Sequence, residues 1–166
     1  MAQPVTCEFV IDNNLGGDLT GDMFGPVTGR LHKNTNAPVN PGVVDPLFVR
    51  VKWMVNGVNA PNMMRGRLLF SMAHSASAAQ TAASPFRSNG KQQCYIEDDQ
   101  NVIPGVPPTP ANPAGVPESY RWGPFNIDPA AQRGKYELTF VVEDITIGSP
   151  SNGTQWSEDP EFDVES

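Results

Sequence analysis

Apolar and polar residues alternate with a period of two along several short stretches of the chain, the period of β-strands with one buried face. Val5, Cys7, Phe9 and Ile11 share one side of the first stretch, opposite Thr6 and Glu8. Leu47, Val49, Val51, Trp53 and Val55 repeat the pattern against Phe48, Arg50, Lys52 and Met54, where Phe48 and Met54 keep the second face from being wholly wet. A third strand is predicted over 67–74, with Leu68, Phe70 and Met72 in phase, and a short one over 93–97 bearing Cys94 and Ile96. Tyr120, Trp122, Phe125 and Ile127 mark an aromatic strand bent at Gly123-Pro124. The strongest alternation covers 136–142, followed by a Gly/Ser/Pro/Asn turn region at 148–153 and a return segment, 155–164, carrying Trp156, Phe162 and Val164.

That closing pair is not a simple hairpin. Tyr136, Leu138, Phe140 and Val142 are even, whereas Ile145 and Ile147 are odd, so a β-bulge is predicted near Glu143-Asp144. Pro160 has no N–H for a ladder, which places the return strand at an edge or breaks it there. Trp156 then belongs to one pairing and Phe162 with Val164 to another, in a strand pair that bends or changes sheet. Asn56-Gly57 is the best two-residue hairpin signal, and Asn89-Gly90 predicts a second turn. Two segments lack periodicity. Residues 13–44 read as a long loop, and 104–119 as another whose proline-rich part, 104–117, is extended and polyproline-like. The Ala/Ser/Gln/Thr run at 75–84 has no apolar face and reads as a linker or short surface helix.

The total is seven to eight short strands without a good amphipathic helix, in a chain with 17 Pro and 15 Gly among 166 residues. The expected fold is all-β, an antiparallel two-sheet sandwich, with a jelly roll as the alternative. One domain over 1–166 accommodates it.

Charge narrows the function. A net charge of −7 is a poor match for a phosphate backbone, so no nucleic-acid partner is expected. Arg50, Lys52, Arg65 and Arg67 are the nearest approach to a basic cluster and read as outward positions of two strands. No apolar run is long enough for a membrane span, and the first residues lack a basic segment followed by an apolar one, so the expectation is a cytoplasmic protein. Cys7 and Cys94 are then expected as reduced, buried thiols. Asn152-Gly153-Thr154 matches a glycosylation acceptor but reads more simply as a turn.

Few residues suggest chemistry. Asp12, Asn14, Asp18 and Asp22, with Gly16 and Gly17, resemble the spaced oxygen ligands of a calcium loop; Met23 stands where an EF-hand needs its bidentate acid, and turn chemistry accounts for the same residues. His32 and His74 are the only histidines, too few for a His-rich metal site. Glu143-Asp144 and Glu158-Asp159 with Glu161 are paired acids, read as strand-end solvation rather than a glycosidase pair. Trp53 and Trp156 lie in phase with core aliphatics. Trp122 is the least obviously buried tryptophan, and with Tyr120 and Arg121 it is the candidate ligand platform, for carbohydrate above other ligands. No cofactor and no enzymatic activity are expected.

Asp159-Pro160-Glu161-Phe162 resembles the closing segment of the DP-EP family of small bacterial proteins. Trp156-Ser157-Glu158-Asp159-Pro160 is similar to the closing strand of the AidA/PixA inclusion-body family. The resemblance covers about the last thirty residues. It implies an immunoglobulin-like sandwich with a non-enzymatic, self-assembling role, and offers no functional residues. The expected function is that of a structural or interaction protein, a homo-oligomer or part of an assembly or inclusion. A carbohydrate-binding module and a phage decoration or capsid-associated protein are the alternatives.

Overall fold

A computed structural model describes residues 5–12, 46–55, 57–73, 84–89, 91–131, 134–158 and 161–164. All regular structure among them is β: β1 (Val5–Asp12), β2 (Leu47–Met54), β3 (Met63–Ala73), β4 (Arg87–Ser88), β5 (Lys91–Gln92), β6 (Tyr95–Asn101), β7 (Ser119–Phe125), β8 (Gly134–Asp144), β9 (Gln155–Glu158) and β10 (Glu161–Val164). No helix among the described residues is long and apolar enough to cross a membrane.

Two main sheets result. The first has the order β1-β2-β7; the second contains β6, β3 and β8, with β9 and β10 both paired to β8 at its far edge. Neighbours run antiparallel except β1 and β2, which are parallel from Val5↔Leu47 to Asp12↔Met54. The fully antiparallel expectation fails at this pair. Parallel neighbours require the chain to return to the same end of the sheet between the two strands; residues 13–44, where a long loop is expected, lie outside the described residues.

The inward phases meet between the sheets. Phe9 of β1 stacks on Phe140 of β8 with ring centroids 5.6 Å apart, and Trp53 of β2 meets Trp156 of β9 edge-on at 5.8 Å. Cys7, Phe9, Ile11, Leu47, Val49, Val51 and Trp53 are all buried, as their alternation predicts. Trp122 of β7 crosses to the second sheet, where it meets Phe140 at 5.4 Å and lies directly over Gly66 of β3.

Several local expectations are corrected. β3 starts at Met63, four residues before the predicted start, because Met64 and Gly66 continue the buried phase of Leu68. The β3–β8 register shifts between Phe70 and Met72, not at Glu143-Asp144. β8 ends at Asp144, and the change of phase beyond it is a turn in which Ile147 is 98% exposed. β9 and β10 neither bend away nor change sheet. Phe140 faces Glu158 and Glu137 faces Glu161 at one constant offset, so both segments hold one register on β8, with residues 159 and 160 between them. Asn56-Gly57 does not close a hairpin, since β2 and β3 lie in different sheets; Gly57, at φ 72°, turns the chain across the sandwich. Asn89, at φ 50°, does form the predicted turn, between β4 and β5. No disulfide joins the cysteines: Cys7 is buried, whereas Cys94, at the exposed approach to β6, is not the buried thiol expected.

Candidate functional site

The three residues of the predicted ligand platform do not face one way. Adjacent strand residues point to opposite sides, so Tyr120 and Trp122 enter the core while Arg121 faces outward. Trp122 and Tyr120 are completely buried, with stacked rings 6.1 Å apart. The reading of Trp122 as the least buried tryptophan is therefore reversed, and neither ring offers solvent a face for a sugar. Trp122 Nε1 donates to Asp98 O of β6 at 3.0 Å, and the Tyr120 hydroxyl donates to Pro61 O. Burial, then the Asp144 charge, pushes the Tyr120 phenol far above its ordinary range. Arg121 places its guanidinium carbon 3.9 Å above the Phe48 ring on the outer face of β2.

Asp12 contributes its backbone to β1, opposite Met54. Asn14, Asp18 and Asp22 lie outside the described residues, as do both histidines. Among the described residues no three His, Cys, Asp or Glu side chains group as metal ligands.

Asp144 is buried, not a solvating strand-end acid. Its Oδ1 accepts from Thr146 N at 2.8 Å, and its Oδ2 from the hydroxyls of Ser149 (2.8 Å) and Ser151 (2.6 Å). It thereby staples the turn after β8 from inside. Glu143 sits on the outer face 2.7 Å from Arg67 Nη2. The side chains of Glu158 and Glu161, and all of Asp159, lie outside the described residues.

The basic cluster is matched by acids across the strands. Arg65 pairs Asp99 at 2.8 Å, Arg67 pairs Glu97 at 2.8 Å, and Lys52 pairs Glu8 at 2.6 Å. The Tyr95 hydroxyl and the Arg67 guanidinium together hold the Glu97 carboxyl below the usual carboxylate range.

Two surfaces remain, one at each end of the seam between β6 and β7. At one end residues 103–119 double back as a narrow arm. Antiparallel bridges join Ile103 to Ser119, Val106 to Val116, and Thr109 to Asn112, and the Val106–Val116 pair exchanges two hydrogen bonds of 2.7 Å. This order corrects the expectation of a simple extended segment. On the outgoing leg the bridged residues recur every third position, the polyproline period, and every proline falls between bridges, where no N–H is needed. The returning leg takes one extra residue near Gly115, at φ 63°. A Cβ on Gly105 would stand 2.4 Å from Val116 O, so the legs approach this closely only because glycine is there. Ile103 (48%), Val106 (52%) and Val116 (38%) are exposed, and no charged residue occurs from Ile103 to Pro117.

At the other end the β4–β5 hairpin leans on the seam. Phe86 bridges Ile127, and Arg87 N donates to Asn126 O at 3.1 Å. A cleft of about 300 Å³ opens between the hairpin, β6, and the bend of β7 at Gly123-Pro124. Two signals mark it in the sequence, Asn89-Gly90 and Gly123-Pro124, but nothing local says that they lie side by side. The platform proposed on Trp122 thus misses the concave surface by one residue.

No protein-family model, curated protein or solved structure matches the chain.

Proposed function

We propose that this is a non-catalytic interaction protein that associates with copies of itself through the arm at 103–117. One observation carries the reading: a rigid, uncharged, partly apolar arm stands on a chain of net charge −7. Two such chains repel wherever their acidic surfaces meet, and least where neither contributes a charge. The arm is also ordered by its own bridges and prolines before any contact forms, which lowers the entropy lost on docking. The resemblance of the closing segment to inclusion-body proteins points the same way, toward work done by packing surfaces in the cytoplasm.

Light scattering coupled to size exclusion, over micromolar concentrations, tests this. The wild type is expected to form concentration-dependent oligomers that strengthen with added salt, because screening removes repulsion while the contact itself is apolar. Val106→Asp is expected to return it to the monomer. A wild type that stays monomeric throughout, or oligomers indifferent to Val106→Asp, would overturn the proposal.

A further inference from the structure

The cleft lies at the opposite end of the seam from the arm and has a chemistry of its own. Its volume, about 300 Å³, is at the lower end of the range of small-molecule sites. The floor is apolar and fixed: Phe86 and Phe125 meet edge-on at 6.3 Å, and Ile96 packs against the core beside them. The walls are strands held by main-chain bonds, Arg87 N to Asn126 O on one side and Gln93 N to Phe86 O at 3.0 Å on another. Such a site needs little ordering when it fills.

The rim is polar and mixed in sign. Arg87 occupies one side, its Nε 2.6 Å from Asp128 Oδ2. Asp98 of β6 lines the same cleft. The register pairs Asp98 with Gly66, a buried inward position, so the Asp98 side chain belongs to the face that looks into the sandwich at its margin and not to the outer ladder of ion pairs. Gln93 and Asn126 add amides that both donate and accept.

From this combination we infer that the cleft binds a small neutral polyol, the size of a single sugar ring. Hydroxyls that donate and accept in turn suit a rim of carboxylate, guanidinium and amides, and the C–H face of a ring suits an apolar floor with Pro124 at its edge. The Arg87 charge is already matched by Asp128, and with Glu97 and Asp98 both lining the cleft an anionic ligand is disfavoured.

The full chain, labelled with 15N, is titrated with a panel of neutral hexoses, pentoses and linear polyols. A uronic acid, a hexosamine and a neutral dipeptide serve as controls. The expected result is saturable shifts of the Arg87, Ser88, Asp98 and Asn126 amides with at least one neutral sugar or polyol, at a dissociation constant on the order of 1 mM. Asp98→Ala and Asn126→Ala, both on the exposed rim, are each expected to weaken binding roughly tenfold without lowering the melting temperature. Three results would each overturn the inference: no saturable shift at these residues with any neutral polyol, tighter binding of a charged control or the dipeptide, or affinity unchanged in both variants.

Discussion

Gly66→Ala measures how tightly Trp122 closes the sandwich. In most open strand positions this change stabilises by about 0.4–1 kcal/mol, because alanine has less freedom to lose from the unfolded chain. Here the new Cβ would stand 2.6 Å from both Cε2 and Nε1 of Trp122 and 2.9 Å from its Cδ1. Carbon contacts settle near 3.5–4 Å, so the overlap approaches 1 Å against a rigid, fully buried ring. Trp122 cannot simply swing aside, since its Nε1 is bonded to Asp98 O and its other flank rests on Phe140. Overpacking of this kind costs about 1–3 kcal/mol, which outweighs the entropic gain. The net expectation is a loss of about 1–2 kcal/mol, seen as a drop in melting temperature of roughly 3–8 °C. The decisive comparison repeats Gly66→Ala in a Trp122→Leu background, with urea unfolding as the readout. With the indole gone, the same change is expected to be neutral or stabilising, giving a coupling of about 2 kcal/mol between the two sites. Equal effects of Gly66→Ala in both backgrounds would refute the argument.

Other perturbations reach different parts of the fold. Asp144→Ala strips the acceptor from Thr146 N and from the Ser149 and Ser151 hydroxyls, and is expected to cost about 3–5 kcal/mol in urea unfolding; a loss below about 1 kcal/mol would show that the staple is redundant. Tyr120 has its folded-state pKa raised above the ordinary 10.0, so its contribution is full below pH 10 and is lost as pH rises from there toward the folded value. Stability is therefore expected to fall above pH 10, and less steeply in Tyr120→Phe, where Tyr136, also raised by burial, still contributes; identical alkaline slopes would contradict this. At neutral pH Tyr120→Phe loses the bond to Pro61 O, an expected cost of about 1 kcal/mol by thermal melting.

The elements legible in the sequence were those where one face is buried over a full strand. Leu47 to Val55 and Val5 to Ile11 announced both their extent and their inward residues, because an alternating face can pack only one way round. The partners of those strands were not legible. Nothing local distinguishes a parallel from an antiparallel neighbour, and β1 beside β2 follows from the long intervening chain, not from either strand's residues. Trp122 was misread for a related reason. Its neighbours Arg121 and Gly123-Pro124 look like surface, and the space it fills is made by Gly66, a residue of another strand. Asp144 was legible as an acid at a strand end, but its burial depends on hydroxyls five and seven residues later. The cleft is the least local feature, since its walls come from three separate stretches. The arm was half legible: the prolines gave extended legs, while the pairing of the legs depends on where the prolines are absent.

The interrupted edge formed by β9 and β10 has a consequence for how copies of this chain can add to one another. A sheet margin with a continuous row of unpaired N–H and C=O groups is a template for amyloid-like growth, strand upon strand. Here the margin beside β8 is made of two four-residue strands, β9 and β10, and edges so short are poor templates. Strand-upon-strand growth at that margin is therefore disfavoured.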